Sequence, residues 1–253
     1  ALKMGEEICE RVITEGLLEK NIFLGNVLVD MYVKCGILGK AQEIFDELPV
    51  KNVASWSALV AGYAENGLGK EALDCFMQMR NDGISPDAVS FVCMLKACCN
   101  TELLDIGQQI HNEVKKLGLL KENVVLGNAI INMYGKCGSL KNAHVMFSIM
   151  PKRNVVSWSS LIAGYGQLGQ ANTALEVYSK MKAENVIPNS VTFVILLNSC
   201  THAGLVKEGE SIFDEMCVFY RLIPTLEHYT CMIDLYGRAG HFDKLKALLN
   251  MND

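Results

Sequence analysis

The sequence repeats itself with a period of 102 residues, and this repeat limits the possible folds more than any other feature. Residues 22–123 align on residues 124–225 without a gap, and 36 of the 102 aligned positions are identical. Trp56 aligns with Trp158, so both tryptophans of the chain belong to the repeat. A single-copy enzyme core would not duplicate itself in this way. We therefore expect a tandem-repeat architecture.

Each 102-residue block divides again into three similar segments. The segments that begin at Ile22, Val53 and Ala88 open with the same spacing of apolar residues. Their lengths are 31, 35 and 36 residues, and the second block has the same three lengths. The predicted repeats are 1–21 (partial), 22–52, 53–87, 88–123, 124–154, 155–189, 190–225 and 226–253 (incomplete).

The apolar residues within a repeat have helical spacing. From Trp56 to Tyr63 they fall at i, i+3, i+4 and i+7. A turn containing Gly67 follows, a second helical run comes after it, and Pro86 closes the repeat. Each repeat is therefore predicted to be a helix–turn–helix pair that buries its apolar face by stacking on its neighbours. The expected fold class is all-α, a right-handed α-solenoid superhelix.

Motifs spread over the whole chain carry a resemblance to a known family. They are Gly25-Asn26 with Met31-Tyr32-x-Lys34-Cys35-Gly36, then Asn52-Val53-Ala54-Ser55-Trp56-Ser57, then Pro86-Asp87-Ala88-Val89-Ser90-Phe91-Val92, and the segment from His228 to Gly240. They resemble the repeats of plant pentatricopeptide repeat proteins of the PLS class. The resemblance implies short repeats at 22–52 and 124–154, standard repeats at 53–87 and 155–189, long repeats at 88–123 and 190–225, a partial long repeat at 1–21 and an incomplete short repeat at 226–253.

The resemblance implies sequence-specific binding of single-stranded RNA, about one base per repeat, by the fifth and last residues of each repeat. These residues are Asn26 with Asn52, Ser57 with Asp87, Val92 with Asn123, Asn128 with Asn154, Ser159 with Asn189, Val194 with Thr225, and Thr230 in the incomplete repeat. By the family's rule, Ser with Asp reads guanine, Ser with Asn reads adenine, and Asn with Asn reads a pyrimidine, cytosine before uracil. The long repeats receive no base. The RNA predicted from 5′ to 3′ is pyrimidine–G–any–pyrimidine–A–any.

The family also implies contacts to the RNA backbone and to the faces of the bases. The predicted phosphate contacts are Lys34, Lys136 and Arg238. The residues expected between bases are Phe23, Val89, Val125, Val156 and Val191. Each assignment has a structural alternative: helix capping for the polar residues, solvated surface charge for the cations, and core packing for the apolar residues.

Composition argues against several other functions. The net charge of −5 is a mild argument against non-specific polyanion binding. The ten cysteines lack a C-x-x-C pair, so we interpret them as small buried hydrophobes in a reducing compartment. His111-Asn112-Glu113 matches half of a zinc deaminase signature, but no P-C-x-x-C follows. We expect no enzyme activity in this chain, no cofactor, no metal site and no transmembrane segment.

The family resemblance implies the recognition part of an organellar C-to-U RNA editing factor, in a mitochondrion or chloroplast. The deaminase would lie in a C-terminal extension or in a partner, accessory editing proteins are further partners, and the transit peptide is expected outside these residues. Two alternatives remain open at this point. One is an organellar RNA stability or splicing factor, and the other is a protein-binding α-solenoid scaffold.

Overall fold

The computed structural model describes residues 11–250 except residues 13, 102 and 122. Residues 1–10 and 13 of the predicted partial repeat, and residues 251–253 of the last repeat, lie outside the described residues. The chain divides by its contacts into an N-terminal half, Ala1–Ala129, and a C-terminal half, Ile130–Asp253.

The regular secondary structure of the described residues is helical. In chain order the helices are α1 (Leu17–Lys20), α2 (Ile22–Lys34), α3 (Leu38–Glu47), α4 (Val53–Glu65), α5 (Gly69–Asn81), α6 (Ala88–Thr101), α7 (Leu104–Lys116), α8 (Val124–Lys136), α9 (Leu140–Ile149), α10 (Val155–Gln167), α11 (Ala171–Ala183), α12 (Ser190–Ala203), α13 (Val206–Asp214), a π-helical turn (Glu215–Phe219), α14 (Leu226–Ala239) and α15 (Phe242–Asn250). The first helix of each repeat therefore begins on the first residue of the repeat that the sequence predicts.

Side-chain caps explain why these helices begin where they do. Asn52 precedes α4, and its side chain accepts a hydrogen bond from the backbone N–H of Ser55, whose hydroxyl accepts from the backbone N–H of Asn52. Asn154 and Ser157 form the same reciprocal pair before α10. Such a capping box satisfies two backbone donors that have no partner inside the helix. The last residue of one repeat thus fixes the start of the next repeat.

A glycine turn joins the two helices of a repeat. After α4 the chain reaches Gly67 with φ +76°, a left-handed conformation that glycine adopts without strain. The N–H of Leu68 then bonds to the carbonyl oxygen of Tyr63 at 2.9 Å and closes the helix end. The break predicted at this point of the repeat is confirmed.

The core lies between the two helices of a repeat and the first helices of its neighbours. Leu59 and Val60 are fully buried, and Trp56 is 2% exposed with its ring edge on Phe45 at a centroid distance of 4.6 Å. The C-terminal half repeats this contact between Phe147 and Trp158, also at 4.6 Å. Burial of each large apolar side chain stabilises the fold by about 1.5–3 kcal/mol. The apolar face predicted by the helical spacing is therefore the one that the fold buries.

The cysteines follow the sequence interpretation only in part. Cys93, Cys98, Cys200 and Cys231 are buried, and all the described cysteines are free thiols. Cys35 is exposed, so its interpretation as a buried hydrophobe is wrong. Cys35 is the C-cap residue of α2, at the end of the helix and outside its buried face.

The described residues contain neither a membrane-spanning helix nor a cluster of metal ligands. No described helix has both the length and the apolar character needed to cross a membrane. Within the same part of the chain, no three His, Cys, Asp or Glu side chains come together as metal ligands would.

Candidate nucleic-acid interface

In five of the repeats the second residue places a large apolar side chain on the surface. The exposed fractions run from 49% for Val156 to 72% for Phe23, with Val89, Val125 and Val191 between them. Core packing, the alternative for these residues, is therefore excluded. Exposed apolar side chains one residue inside a helix start are available to lie against the faces of bases.

In five repeats the last residue caps the helix that follows. The Oδ1 atoms of Asn52, Asn154 and Asn189 accept from the backbone N–H of the third helical residue at 3.0, 3.1 and 3.0 Å. Asp87 and Asn123 do the same at 2.8 and 3.0 Å. The capping alternative is therefore correct for these residues. A cap uses only one of the two polar atoms at the end of the side chain, so it does not prevent a second contact.

A hydroxyl bridge joins the fifth and last residues of the second full repeat. Ser57 Oγ lies 2.7 Å from Ser90 Oγ, and the hydroxyl of Ser90 donates to Asp87 Oδ1 at 2.8 Å. Ser57 is 6% exposed, whereas Asp87 is exposed. Asp87 is therefore the more accessible side chain of the pair. No hydrogen bond to Asp87 Oδ2 is recorded among the described residues, so this oxygen remains an open acceptor.

The C-terminal half builds the same bridge with different residues. Ser159 Oγ lies 2.9 Å from Thr192 Oγ1, and the Thr192 hydroxyl donates to Asn189 Oδ1 at 3.0 Å. Ser159 is 7% exposed and Asn189 is exposed, as in the N-terminal half. The two predicted purine pairs thus share one geometry and differ in the last residue, a carboxylate in one and an amide in the other.

The first full repeat brings its two asparagines into direct contact. Asn26 Nδ2 donates to Asn52 Oδ1 at 3.4 Å, and Ser55 Oγ donates to Asn26 Oδ1 at 2.6 Å. Both asparagines are half-buried. A serine hydroxyl from the following helix again links the fifth and last residues.

The long repeats lack this bridge. The fifth residues Val92 and Val194 are half-buried and carry no polar group. The third residue of the next helix is Leu126 in one case and His228 in the other. His228 is fully buried, with Nε2 3.0 Å from the carbonyl oxygen of Ser190 and Nδ1 3.0 Å from the backbone nitrogen of Thr225. Because a carbonyl oxygen only accepts, Nε2 carries the proton and Nδ1 accepts.

Three further predicted base contacts are Asn128, Asn154 and Thr230. Asn128 is 7% exposed and Asn154 is exposed, and they belong to different halves of the chain. Thr230 is exposed, but its hydroxyl donates to the carbonyl oxygen of Leu226 in its own helix at 2.8 Å. Its proton is therefore used inside α14, which leaves the hydroxyl oxygen as an acceptor.

The predicted phosphate contacts differ in their surroundings. Lys34 Nζ lies 2.6 Å from Asp30 Oδ2, and this hydrogen bond raises the pKa of the lysine. Arg238 Nε lies 2.9 Å from Asp234 Oδ1. Lys136 is also exposed, and no ion pair is recorded for it in the described part of the chain. Among the described residues, Lys136 thus differs from Lys34 and Arg238, each of which is paired with an aspartate in its own helix.

The sequence reasoning missed the residue that links each pair. Ser55, Ser90 and Thr192 are the third residues of their repeats, and each holds a fifth residue and a last residue together. The signal was present in the sequence as Asn or Asp followed three positions later by Ser or Thr, which is a capping-box pattern. That pattern predicts the hydrogen bond between the last residue and the third residue after it. It does not predict the hydrogen bond from that third residue to the fifth residue of the preceding repeat.

Three family models match the chain. The model described as PPR repeat family matches residues 51–100 and 153–202. The model described as PPR repeat matches residues 26–53, 128–155, 191–219 and 227–251. The model described as pentatricopeptide repeat domain matches residues 81–137. Together the matches run through residues 26–219 and 227–251.

Curated proteins of Arabidopsis thaliana resemble the chain over most of its length. A putative mitochondrial pentatricopeptide repeat-containing protein is 36% identical over 230 residues, which is 91% of this chain and 37% of the relative. A chloroplastic pentatricopeptide repeat-containing protein is 38% identical over 232 residues, 91% of this chain and 31% of the relative. The chain thus spans about a third of the length of these relatives.

Solved structures share the fold. The crystal structure of the pentatricopeptide repeat protein PPR10 from maize matches with a TM-score of 0.71 at 20% identity, over 89% of this chain and 33% of that chain. PPR10 in complex with an 18-nt psaJ RNA element matches with a TM-score of 0.63 at 18% identity, over 91% of this chain and 40% of that chain. The expected fold class, an all-α solenoid of tandem helix–turn–helix repeats, is confirmed.

Proposed function

The chain belongs to the pentatricopeptide repeat family, and on that basis we propose that it binds single-stranded RNA in a sequence-specific manner, about one base per repeat. The observation that carries the proposal is the side-chain bridge between the fifth and last residues of three repeats. Such a bridge holds two polar groups together at the start of a helix, where an exposed apolar side chain stands beside them. This combination suits the polar edge and the apolar face of an unpaired base.

The proposed base preferences follow from the chemistry of the last residue. The open Oδ2 of Asp87 only accepts hydrogen bonds, and guanine offers the N1–H and N2–H donors on its Watson–Crick edge. Asn189 uses Oδ1 in its cap and keeps its amide N–H groups, which can donate to adenine N1. We therefore propose guanine for the repeat of Ser57 and Asp87, and adenine for the repeat of Ser159 and Asn189.

The remaining repeats complete the proposed RNA. A pyrimidine is proposed for the repeat of Asn26 and Asn52 and for that of Asn128 and Asn154. The long repeats, with Val92 and Val194 at the fifth position, make no base choice. The sequence from 5′ to 3′ is pyrimidine–G–any–pyrimidine–A–any, with the RNA running parallel to the chain.

We propose further that the whole protein acts in an organelle as a C-to-U RNA editing factor of the PLS class, with this chain as its recognition part. Relatives labelled mitochondrial and chloroplastic support the organellar location. The deaminase would act from another part of the protein or from a partner. RNA stabilisation or splicing would use the same RNA contact without a deaminase.

A second candidate function is a protein-binding scaffold. The C-terminal half exposes large apolar side chains close together in sequence, each at least three-quarters exposed: Val218, Phe219, Ile223 and Leu226. Exposed apolar side chains of this density are typical of interaction surfaces. An accessory editing protein is the partner that the editing proposal would require there.

The test is a binding measurement with two RNAs and two proteins. The first RNA carries pyrimidine–G–any–pyrimidine–A–any, and the second has G and A exchanged. We expect the chain to prefer the first RNA by at least about tenfold, since a direct base contact is worth roughly 1–3 kcal/mol. The double variant Asp87→Asn, Asn189→Asp should prefer the second RNA, and its caps remain because both residue types cap helices.

The outcomes separate the candidates. Equal binding of both RNAs would show that the polar pairs serve only as caps, and the base assignments would be wrong. Binding of neither RNA would contradict the proposed function and favour the protein scaffold. Preference of the double variant for the exchanged RNA, at unchanged thermal stability, is the result that the proposal requires.

A further inference from the structure

We propose that the third residue of the following repeat decides which hydrogen-bonding groups the fifth and last residues offer to a base. Ser90, Thr192 and Ser55 are then positioning residues for base choice, although they touch no base themselves. The inference rests on the proposed function, because it deepens the account of the same RNA contact. It is carried by the direction in which each hydroxyl proton must point.

At Ser90 the proton direction is fixed by the carboxylate. Asp87 Oδ1 accepts both the backbone N–H and the hydroxyl of Ser90, each at 2.8 Å. Ser90 has only one hydroxyl proton, so its oxygen must accept from Ser57 across their distance of 2.7 Å. Ser57 therefore donates its hydroxyl proton to Ser90, and its oxygen can only accept a hydrogen bond from a base. Together with Asp87 Oδ2, the pair presents two acceptors, which match the N1–H and N2–H donors of guanine.

Thr192 makes the same bridge but leaves a different pair of hydrogen-bonding groups for a base. Asn189 Oδ1 accepts the backbone N–H and the hydroxyl of Thr192, both at 3.0 Å, so its amide nitrogen is the group left for a base. Ser159 must donate to Thr192 for the reason given for Ser57, and it also becomes an acceptor. One acceptor beside one donor matches the N6–H donor and the N1 acceptor of adenine.

Ser55 turns two asparagines into a pair of donors. Its hydroxyl lies 2.6 Å from Asn26 Oδ1 and 3.0 Å from Asn52 Oδ1, and the closer oxygen is the better acceptor. Asn52 Oδ1 also accepts from Asn26 Nδ2 and from the backbone N–H of Ser55. The groups that remain are N–H donors on both residues. Cytosine presents adjacent N3 and O2 acceptors, whereas uracil presents an N3–H donor, so the geometry favours cytosine.

The long repeats provide an internal comparison. The third residues of the repeats that follow them are Leu126 and His228, and neither places a hydroxyl between a fifth and a last residue. The fifth residues of the long repeats are valines, so no polar group requires orientation. Three of the repeats to which a base is assigned therefore show the bridge among the described residues, and neither long repeat does.

The test removes one bridging hydroxyl and measures base preference rather than affinity alone. In Ser90→Ala the backbone N–H still bonds to Asp87, so the cap persists, but the Ser57 hydroxyl becomes free to donate. We expect the preference for G over A at the second base to fall about threefold to tenfold, the range for one hydrogen bond. The preference for A over G at the fifth base should stay within about twofold.

Matched variants separate proton direction from structural damage. Ser90→Thr keeps a hydroxyl and should keep the guanine preference, since Thr192 occupies the same place in the other half. Thr192→Ala should relax base choice only at the fifth base. These opposite patterns cannot arise from a general loss of stability.

Two results would overturn the inference. If Ser90→Ala weakens binding of all RNAs by one factor and keeps its base preference, Ser90 is only structural, while the proposed function stands. If the unmodified chain binds RNA without preference or not at all, the proposed function is wrong, and the inference that rests on it is wrong as well.

Discussion

Lys136→Ala should reduce the salt dependence of RNA binding more than Lys34→Ala does. The two lysines occupy the same position in equivalent repeats, thirteen residues into each by the alignment of residues 22–123 on 124–225. One helical turn earlier, Asp30 precedes Lys34, whereas Asn132 precedes Lys136. Lys34 is bonded to its aspartate at 2.6 Å, and a phosphate would have to compete with that carboxylate. The two variants therefore remove equivalent lysines that differ in the acids beside them, Asp30 and Glu65 for Lys34 against Asn132 and Gln167 at the aligned positions for Lys136.

The magnitude follows from counterion release. Each phosphate neutralised on a single strand contributes about 0.7 to the slope of log K against log salt concentration. Loss of the Lys136 contact should therefore reduce the slope by about 0.7. When salt rises from 50 to 200 mM, both proteins lose affinity, and the fold-loss of the variant should be smaller than that of the unmodified chain by a factor of about 2.6. Lys34→Ala should change the slope by less than half as much, since its ion pair already neutralises part of the charge.

The assay is fluorescence anisotropy with a labelled RNA of the proposed sequence at four salt concentrations. Asp30→Asn is the complementary variant, because it removes the carboxylate bonded to Lys34 and should steepen the slope. Equal slopes for both lysine variants would refute the reasoning from ion pairing. An unchanged slope in Lys136→Ala would show that this position does not meet a phosphate.

Two further predictions concern stability and reactivity. Gly164→Ala should destabilise the fold by about 1–3 kcal/mol in thermal unfolding, because its new methyl group would lie 3.2 Å from the backbone Cα of Gly135. Gly39→Ala, in an open helical position, should instead stabilise it by about 0.4–1 kcal/mol, and a loss of stability there would contradict the packing account. Iodoacetamide at pH 8 should modify the exposed Cys35 and spare Cys93, whose pKa burial raises to about 11, until denaturant is added. Labelling of Cys93 in the folded chain would show that the helices open more readily than the core packing implies.

The sequence predicted the helical repeats well because their signals are local. The spacing around Trp56, the glycine at residue 67 and the caps before each first helix all act within a few residues, and the structure has helices at those places. The bridge through Ser90 was not predicted, because it joins residues 33 positions apart, and its geometry depends on how one repeat stacks on the next. The ion pair of Lys34 was local and could have been predicted from the i, i+4 spacing to Asp30.

The caps also explain why few residue types occur at the last position of a repeat. A side chain there must accept a backbone N–H at the start of the next helix, and replacing such a cap by alanine costs about 0.5–2 kcal/mol. The residues at these positions are all of capping type: Asn52, Asp87, Asn123, Asn154, Asn189 and Thr225. Within this set, Asn and Asp keep the same capping oxygen and differ only in the group that points away from the helix, a donor in one and an acceptor in the other. Under the proposed function, an exchange between them changes the preferred base without loss of the cap. Folding therefore restricts the choice of residue, and under the proposed function base recognition would use the one difference that the cap leaves free.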